Sequence, residues 1–263
     1  GFIGRHLVKR LVSEGAQVES QQMEPVEDLL RYDVVFHLAA RVDLSHAPDV
    51  AEDCAVSNVL GTQHLLESIA VRPPGVLVYA STQDVYSGGG SVPPWHEEQR
   101  EFPGSPYGAT KLAGEHLCRL SGIPTAIARL STVYGPGQRP ERLIPATIRA
   151  FRQREVLDVG HLMQWRDLVY VDDAVEGLLA CVRAPGEIVN IGHAEPVTLR
   201  SVVERLREVV DLSAPEPRWG ALLERGGPSL WASSGWRARE MLGWEPLVAL
   251  EDGLRRTVEA EAR

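Results

Sequence analysis

Tyr107 and Lys111 form the pair of side chains whose types and spacing could do chemistry, because residues four apart on a helix face the same way. A tyrosine with an ordinary pKa of about 10 is a poor proton shuttle near neutral pH. A lysine ammonium nearby favours the phenolate and lowers that pKa. Tyr107 could then remove the proton of a substrate hydroxyl while a hydride leaves the same carbon.

Two hydroxyl residues, Ser81 and Thr82, follow a strand pattern upstream of this pair. Residues 75–80 form an apolar run that predicts a buried parallel strand, and a loop rich in Gly and Pro follows at 87–106. The helix that carries the tyrosine is predicted at about 107–121. Thr82 would hydrogen-bond the substrate oxygen and stabilise the charge that develops on it. This context favours a catalytic function over a solvated helix surface, which the spacing alone would also allow.

Gly1 and Gly4 open the sequence in a pattern that could hold a phosphate. Dinucleotide-binding turns use glycines to bring the backbone close to a pyrophosphate at a helix N-terminus. A helix is predicted at residues 5–12 from its apolar spacing. The usual preceding strand and first glycine are absent, and close helix packing is the alternative explanation. Gln22 stands near the position of the acid that holds the adenosine ribose, so NAD and NADP both stay open.

Strands and helices alternate along most of the sequence. Further apolar runs predict strands at residues 33–40, 124–130 and 188–191, and amphipathic patterns predict helices at 58–70, 143–154, 172–183, 199–210 and 250–262. Short strands are expected near 17–19 and 156–159, a helical turn near 26–30 and a turn at 133–137. The alternation predicts an α/β fold with a parallel sheet covered on both faces, and a loop-rich composition after about residue 138 predicts a smaller C-terminal lobe.

The composition is that of an ordinary globular protein. Of the 263 residues, 44% are hydrophobic and 24% charged, and the formal charge of −9 argues against nucleic acid or an anionic membrane as the main partner. No apolar run approaches the roughly 18 residues that a membrane span requires. The three cysteines are far apart and the eight histidines lack ligand spacing, so we expect no disulfide framework and no metal site. A cytoplasmic protein is predicted.

Longer motifs resemble those of extended short-chain dehydrogenase/reductases, in the nucleotide-sugar branch of the NAD-dependent epimerase/dehydratase family. They occur in the family's order: GFIG at 1–4, DVVFHLAA at 33–40, NVLGT at 58–62, YASTQDVY at 79–86, SPYGATKLAGE at 105–115, VYGPGQRP at 133–140, RDLVYVDD at 166–173, VNIG at 189–192 and LGWEP at 242–246. The resemblance implies a Rossmann-like doubly wound sheet that binds NAD or NADP. This domain is expected at 1–138, with contributions from about 156–192, and a mainly substrate-binding lobe at 139–263.

The resemblance also implies functions for single residues. Thr82, Tyr107 and Lys111 match the catalytic positions. The residues at cofactor-binding positions are Gly1, Phe2, Ile3, Gly4, Leu38, Ala39, Ala40 and Asn58, together with Tyr107 and Lys111. Those at substrate-binding positions are Ser81, Asp84, Thr132, Arg166 and Arg225. Arginine suits a diphosphate because its planar fork pairs with phosphate oxygens. Asn58 could equally be structural.

The predicted function is an NAD(P)-dependent nucleotide-sugar epimerase that transiently oxidises a sugar hydroxyl, with C4 as the expected position. Thr82-Gln83-Asp84 resembles the Thr-Asp-Glu of sugar 4,6-dehydratases, but Gln83 cannot deliver a proton as a carboxylic acid does. Asp84 could instead cap the following turn. A 4,6-dehydratase, a ketoreductase and a non-catalytic binding protein are the alternatives.

Two further expectations concern the whole protein. The sequence lacks the family's first strand, and we expect it to be a piece of an active enzyme rather than a degenerate copy. A homodimer is expected by analogy with the family, through the helix that carries Tyr107 and its neighbour.

Overall fold

A four-stranded parallel sheet forms the centre of the structure, in the strand order β1-β2-β3-β7. Its strands are β1 (Val34–His37), β2 (Val76–Thr82), β3 (Thr125–Leu130) and β7 (Ile188–Ile191). Each coincides with an apolar run predicted as a strand, and β2 extends two residues beyond its run, through Ser81 and Thr82. The computed structural model describes residues 1–20, 32–45, 47–89, 92–223 and 230–261. It confirms an α/β fold with a parallel sheet of Rossmann type.

Helices cover both faces of this sheet. The helices of the described residues are α1 (Phe2–Ser13), α2 (Pro48–Cys54), α3 (Gly61–Ala70), α4 (Pro106–Leu120), α5 (Leu143–Gln153), α6 (Val171–Cys181), α7 (Leu199–Val210) and α8 (Leu250–Ala260), with π-helical turns at Ala55–Leu60 and Ala238–Leu242 and a 3-10 turn at Gln83–Tyr86. Those that pack on the sheet are α3 and α4 on one face and α1 and α6 on the other. Side chains alternate across β2. Leu77 and Tyr79 pack beneath α3 and α4, whereas Val78 and Ala80 lie in the core formed with α6.

The C-terminal half adds two small sheets and a second apolar cluster. One sheet pairs β4 (Thr132–Tyr134) with β6 (Leu168–Tyr170), and the other has the order β8-β5-β9, formed by β5 (Trp165–Arg166), β8 (Val197–Thr198) and β9 (Leu230–Trp231). Apolar side chains of α5, α7 and α8 pack together with β4 and β6. Among the described residues, no helix is both long and apolar enough to cross a membrane.

Local elements differ from the sequence predictions in four places. Residues 17–19 form no strand, and 156–159 form only a single bridge, because a short strand needs a neighbour to pair with. The turn predicted at 133–137 begins as strand β4. The patterns do not predict α2, which begins with Pro48 at its first position. The helical turn predicted near 26–30 lies outside the described residues.

A buried ion pair joins β3 to α4. Arg129 is fully buried and Glu115 is 1% exposed. The Arg129 guanidinium donates from Nε to Oε1 of Glu115 over 2.9 Å and from Nη2 to Oε2 over 2.6 Å. It also donates to the Tyr86 hydroxyl over 2.6 Å and to Glu101 over 2.9 Å. One arginine therefore links a central strand, the helix of Tyr107, the 3-10 turn and the loop before α4.

Replacing Arg129 with methionine should lower the free energy of unfolding by about 3–5 kcal/mol, because the Glu115 carboxylate is left buried without its partner. The double variant Arg129→Met/Glu115→Leu removes both charges and should regain most of that loss. Urea unfolding of the wild type and both variants measures the difference. Equal losses in the single and double variants would contradict this account of the ion pair.

Helix α1 is docked on the loop after β4 and on α6. The Nε2 atom of His6 lies 2.9 Å from the carbonyl oxygen of Pro136, and its Nδ1 lies 3.4 Å from Oδ1 of Asp172. Both partners only accept hydrogen bonds, so the ring satisfies both as the imidazolium. The hydrogen bond with Asp172 is the largest cause that raises the pKa of His6 above its usual 6.5. Arg5 adds a hydrogen bond to the carbonyl of Gly137 over 2.8 Å.

A raised folded-state pKa means that protonated His6 stabilises the fold fully below its unfolded pKa, and that this stabilisation is lost as the pH rises through the folded value. His6→Gln should therefore lower the unfolding free energy more at about pH 6 than at about pH 8.5. Denaturant unfolding at both pH values, compared between wild type and variant, isolates this group from the other histidines. A difference that does not change with pH would argue against it.

Candidate functional site

Thr82 and Tyr107 meet at the carboxyl end of the central sheet, where ligands bind in open α/β sheets. Thr82 is the last residue of β2, and Tyr107 lies in the first turn of α4. The side chain of Thr82 lies close enough to that of Tyr107 to lower the pKa of the phenol. The segment after β1 reaches the same place, because Ala40 packs in one apolar cluster with Tyr107, Val50 and Cys54. The structure therefore brings together two predicted catalytic residues and one predicted cofactor-binding residue.

The start of α4 is held by Ser105 and Asp84. Ser105 caps the helix, since its hydroxyl accepts the N–H of Gly108 over 3.1 Å. The same hydroxyl donates to Asp84, whose other oxygen accepts the Ser87 hydroxyl. Asp84 is 1% exposed. Its two oxygens are thus engaged within the protein, which favours the turn-capping alternative of the sequence analysis over direct substrate contact.

The surroundings of Tyr107 raise its pKa, whereas the sequence analysis expects a lowered one. Burial is the largest cause, and the negative charge of Asp84 acts in the same direction. The hydrogen bond with Thr82 and the positive charge of Arg142 lower the pKa, but by less. The phenol of this structure therefore keeps its proton at neutral pH.

Lys111 lies on the same helix but faces the ring of Tyr79. Its side chain is 1% exposed, and its Nζ lies 4.0 Å from the centre of that ring. Burial lowers the pKa of Lys111 to about 8. Burial and the lysine charge also lower the pKa of His37 to about 3. His37 is hydrogen-bonded to the Thr62 hydroxyl over 2.8 Å, as a buried core histidine should be.

Ser81 and Asn58 are hydrogen-bonded within the protein. The Ser81 hydroxyl donates to Glu115 of the buried ion pair. The Asn58 Oδ1 accepts the N–H of Arg41 over 2.8 Å, and its Nδ2 donates to the Arg41 carbonyl over 3.1 Å and to the Thr110 hydroxyl over 2.9 Å. Asn58 thus clamps the segment after β1 to α4. Both side chains position the elements of the site. For Asn58 these contacts favour a structural function over direct contact with a cofactor.

The first turn of α1 begins at Gly1, and no described side chain caps it. A Cβ added at Gly1 or Gly4 would meet no atom within 4 Å. Phe2, Ile3 and Leu38 instead pack against apolar clusters. A cavity of about 430 Å³ opens beside the end of β1, and its lining residues are Ala40, Arg41, Glu52, Asp53, Val56, Ser57 and Arg139. Ala39 is half-buried next to this cavity's Ala40.

Arg166 is a half-buried cation on the C-terminal side. Its guanidinium carbon lies 4.9 Å from the centre of the Trp231 ring, and its Nη1 donates to the carbonyl of Trp165 over 2.8 Å. Burial lowers the pKa of Arg166 to about 10, and no carboxylate among the described residues offsets this. Thr132 donates its backbone N–H to the carbonyl of Asp167, over 3.0 Å. Arg225 lies outside the described residues.

Three residues around the site are absent from the sequence predictions. Tyr79 could have been found from the alternation of β2, because residues two apart on a strand face the same side and Ser81 faces α4. The ion pair of Arg129 and the charge of Arg142 carry no local signal, since both act on residues far away in the sequence.

Gly108→Ala should destabilise the fold, because the added Cβ would lie 2.6 Å from Oδ2 of Asp84 and 2.9 Å from its carbonyl oxygen. Overpacking of this kind costs roughly 1–3 kcal/mol of the unfolding free energy. Gly4→Ala is the matched control in α1, where the Cβ meets no atom within 4 Å. That control should gain up to about 1 kcal/mol from helix propensity. Chemical unfolding of both variants measures this, and similar changes in both would refute the close approach of Asp84.

Comparison with known proteins identifies one family. The model of the NAD dependent epimerase/dehydratase family matches residues 1–192. A UDP-glucuronate 4-epimerase of Thermodesulfobacterium geofontis is 31% identical over 90% of this chain and 75% of that protein. A probable dTDP-glucose 4,6-dehydratase of Sinorhizobium fredii is 30% identical over 98% of this chain and 89% of that protein.

A solved structure agrees with these relatives. MoeE5 in complex with UDP-glucose and NAD has a TM-score of 0.89 and 30% identity, and the match covers 100% of this chain and 96% of that one. The family match extends over more than half of the chain and includes the helix of Tyr107 and Lys111. The chain belongs to the NAD-dependent epimerase/dehydratase family.

Proposed function

We propose that this protein is an NAD-dependent nucleotide-sugar 4-epimerase, which inverts a sugar carbon by transient oxidation of its hydroxyl. The meeting of Thr82 and Tyr107 at the carboxyl end of the sheet, with Lys111 one turn further along α4, carries this proposal. The relative that acts as a UDP-glucuronate 4-epimerase and the structure solved with UDP-glucose and NAD support the same chemistry.

The residues present fit NAD. Gly1 and Gly4 flank the first turn of α1, where no described side chain caps the helix N-terminus and a pyrophosphate would bind. Ala40 places the end of β1 beside Tyr107, where the reacting ring of the cofactor would lie. NAD, when bound, takes up a hydride from the sugar carbon and returns it. NADP stays the alternative, because Gln22, which stands near the position that reads the adenosine ribose, lies outside the described residues.

Thr82 and Tyr107 supply the proton chemistry in this proposal. Thr82 holds the sugar oxygen by a hydrogen bond, and Tyr107 takes the hydroxyl proton as the carbon is oxidised. After the keto sugar has turned over, its carbon would be reduced by hydride from the opposite face, and Tyr107 would return the proton to the sugar oxygen. Because burial raises the pKa of the free phenol, its ionisation needs nearby positive charge. Arg142 acts in this direction already, and we assign the same effect to Lys111.

Arg166 is proposed to bind the diphosphate of the substrate. It is a half-buried guanidinium stacked on Trp231, and an anion would supply the negative charge that its surroundings lack. Arg225 is proposed as a second diphosphate ligand from its motif alone. The substrate-binding lobe would accordingly lie mainly in residues 139–263, and the dinucleotide domain mainly in 1–138.

The residues after Thr82 favour an epimerase over a 4,6-dehydratase. A dehydratase needs an acid that protonates the leaving 6-hydroxyl, and Gln83 has no acidic proton. Its Oε1 instead accepts the hydroxyls of Ser233 over 3.1 Å and Ser131 over 3.4 Å. The dehydratase relative keeps this reaction as the second candidate.

Tyr107→Phe should lower kcat by about 10²–10⁴-fold, because the variant has no group to exchange the sugar proton. Tyr134→Phe is the matched control: another buried tyrosine, whose hydroxyl donates to the Leu250 carbonyl over 3.3 Å. The assay follows UDP-glucuronate and UDP-glucose with catalytic NAD and identifies the product by NMR. Unchanged turnover of the Tyr107→Phe protein would exclude the assigned function of this residue.

The product distinguishes the candidate functions. A C4 epimer formed without net change in NAD supports the epimerase. A 4-keto-6-deoxy sugar would identify a dehydratase, and stoichiometric consumption of NAD(P)H would identify a ketoreductase. A protein that binds NAD or the UDP-sugar but converts neither sugar would be a binding protein.

We also propose a homodimer, formed by α3 and α4 as in the family. These helices pack beside one another on the same face of the sheet. Leu60 and Leu120 remain 46% and 84% exposed near their ends, and the mass in solution tests this pairing. Localisation in the cytoplasm is proposed because the three cysteines are free and buried, which suits a reducing compartment.

A further inference from the structure

We infer that Tyr79 is a positioning residue for Lys111, which it holds by its ring face and by its hydroxyl. The inference rests on the proposed function of Lys111, because it concerns how that lysine is kept charged and in place. Nothing in the motif around Tyr107 requires an aromatic residue at this point of β2.

The ring of Tyr79 provides a face for the lysine cation. The Nζ of Lys111 lies 4.0 Å from the ring centre, and the two side chains are 1% and 0% exposed. A cation over an aromatic face is attracted by the ring's negative face, most strongly where water is excluded. Glu115, one turn further along α4, has both oxygens engaged by Arg129. The charge of Glu115 still raises the pKa of Lys111, and the ring is the aromatic face that lies directly against the ammonium.

The hydroxyl of Tyr79 fixes the ring against the same helix. It donates to the backbone carbonyl of Lys111 over 3.3 Å. A Cβ added at Gly114 would lie 2.0 Å from this hydroxyl and 2.7 Å from the ring carbon that carries it. The absence of a side chain at Gly114 thus leaves a space on α4 that the Tyr79 hydroxyl occupies. The strand and the helix are held in register at two points, residues 111 and 114.

None of the other described titratable groups that face Lys111 repels its ammonium. On α4 these are Glu115 and Cys118, and on β1 it is His37. Burial raises the pKa of Cys118 to about 12, so its thiol is neutral, and His37 is uncharged with a pKa of about 3. The His37 ring lies 5.4 Å from that of Tyr79, centre to centre. No second cation among these neighbours repels the ammonium.

Replacing the ring should make Lys111 lose its proton more easily. The pKa of Lys111 is already lowered to about 8 by burial, which places its charge close to the working range. In Tyr79→Leu the stabilisation by the ring is lost, and we expect this pKa to fall by about one further unit. In Tyr79→Phe the ring remains, so the lysine pKa should stay the same while thermal stability falls with the lost hydroxyl contact.

NMR of lysine labelled with carbon-13 at Cε measures this directly in the protein without ligands. The sequence contains two lysines, and the exposed Lys9 serves as an internal reference for Lys111. Tyr134→Leu is the matched control. Its hydroxyl also donates to a backbone carbonyl over 3.3 Å, and a Cβ at Gly253 would also lie 2.0 Å from it. This control should lose thermal stability and leave the titration of Lys111 unchanged.

A second series of variants keeps the ring at position 79 and changes the negative charge density of its face. Phenylalanine and 3,4,5-trifluorophenylalanine at position 79 fill the same space, but fluorine withdraws the charge that attracts the cation. The pKa of Lys111 should fall from the first to the second, and the alkaline limb of kcat against pH should move with it. This series tests whether the aromatic face stabilises the Lys111 ammonium even if Tyr79→Leu fails to fold.

The outcomes separate the inference from the proposed function. A Lys111 titration that is the same in both phenylalanine proteins overturns the inference. A fully active Tyr107→Phe protein overturns the proposed function instead, whatever the lysine titration shows. A shift in Lys111 with an equal shift in Lys9 or in the Tyr134→Leu control would indicate a global change and also overturn the inference.

Discussion

The buried pair of Arg129 and Glu115 is the interaction on which the rest of the site depends. Arg129 comes from a central strand, and Glu115 lies on the helix that carries Tyr107 and Lys111. Through Glu115 the pair also holds Ser81, the residue before Thr82. A buried charge is costly without its partner, so strand, helix and hydroxyl residues take one arrangement together. The geometry of the site is thus tied to an electrostatic requirement of the core.

Burial creates a conflict between the two titratable groups of the site. It raises the pKa of Tyr107 and lowers that of Lys111, so that each group is shifted towards its neutral form. Proton transfer needs the opposite, a phenolate and an ammonium. Displaced pKa values of this kind are typical of functional sites. We infer that the ring of Tyr79 stabilises the charged form of Lys111.

Much of the fold is predictable because it rests on local patterns. The apolar runs identify all four strands of the central sheet, and the helix predicted at about 107–121 matches α4 to within one residue at each end. Contacts between distant segments are not predictable in this way. The spacing of Tyr107 and Lys111 suggests that the lysine acts on the phenol, but the lysine lies over a ring from β2. Residues 17–19 form no strand, because strand formation depends on a partner strand as well as on the local sequence.

The side chains of the turn after Thr82 bear on whether an oxidised sugar would undergo elimination or epimerisation. In the dehydratase pattern the two residues after the threonine are acids that act on the sugar. Here Gln83 accepts hydroxyls from Ser131 and Ser233, and Asp84 accepts those of Ser87 and Ser105. Ser233 lies two residues beyond Trp231, on which Arg166 stacks. The same turn therefore joins Thr82 to the segment on which Arg166, the proposed diphosphate ligand, stacks. With its side chains engaged in this way, the turn places no unengaged carboxyl group beside Thr82, which favours the proposed epimerase over elimination.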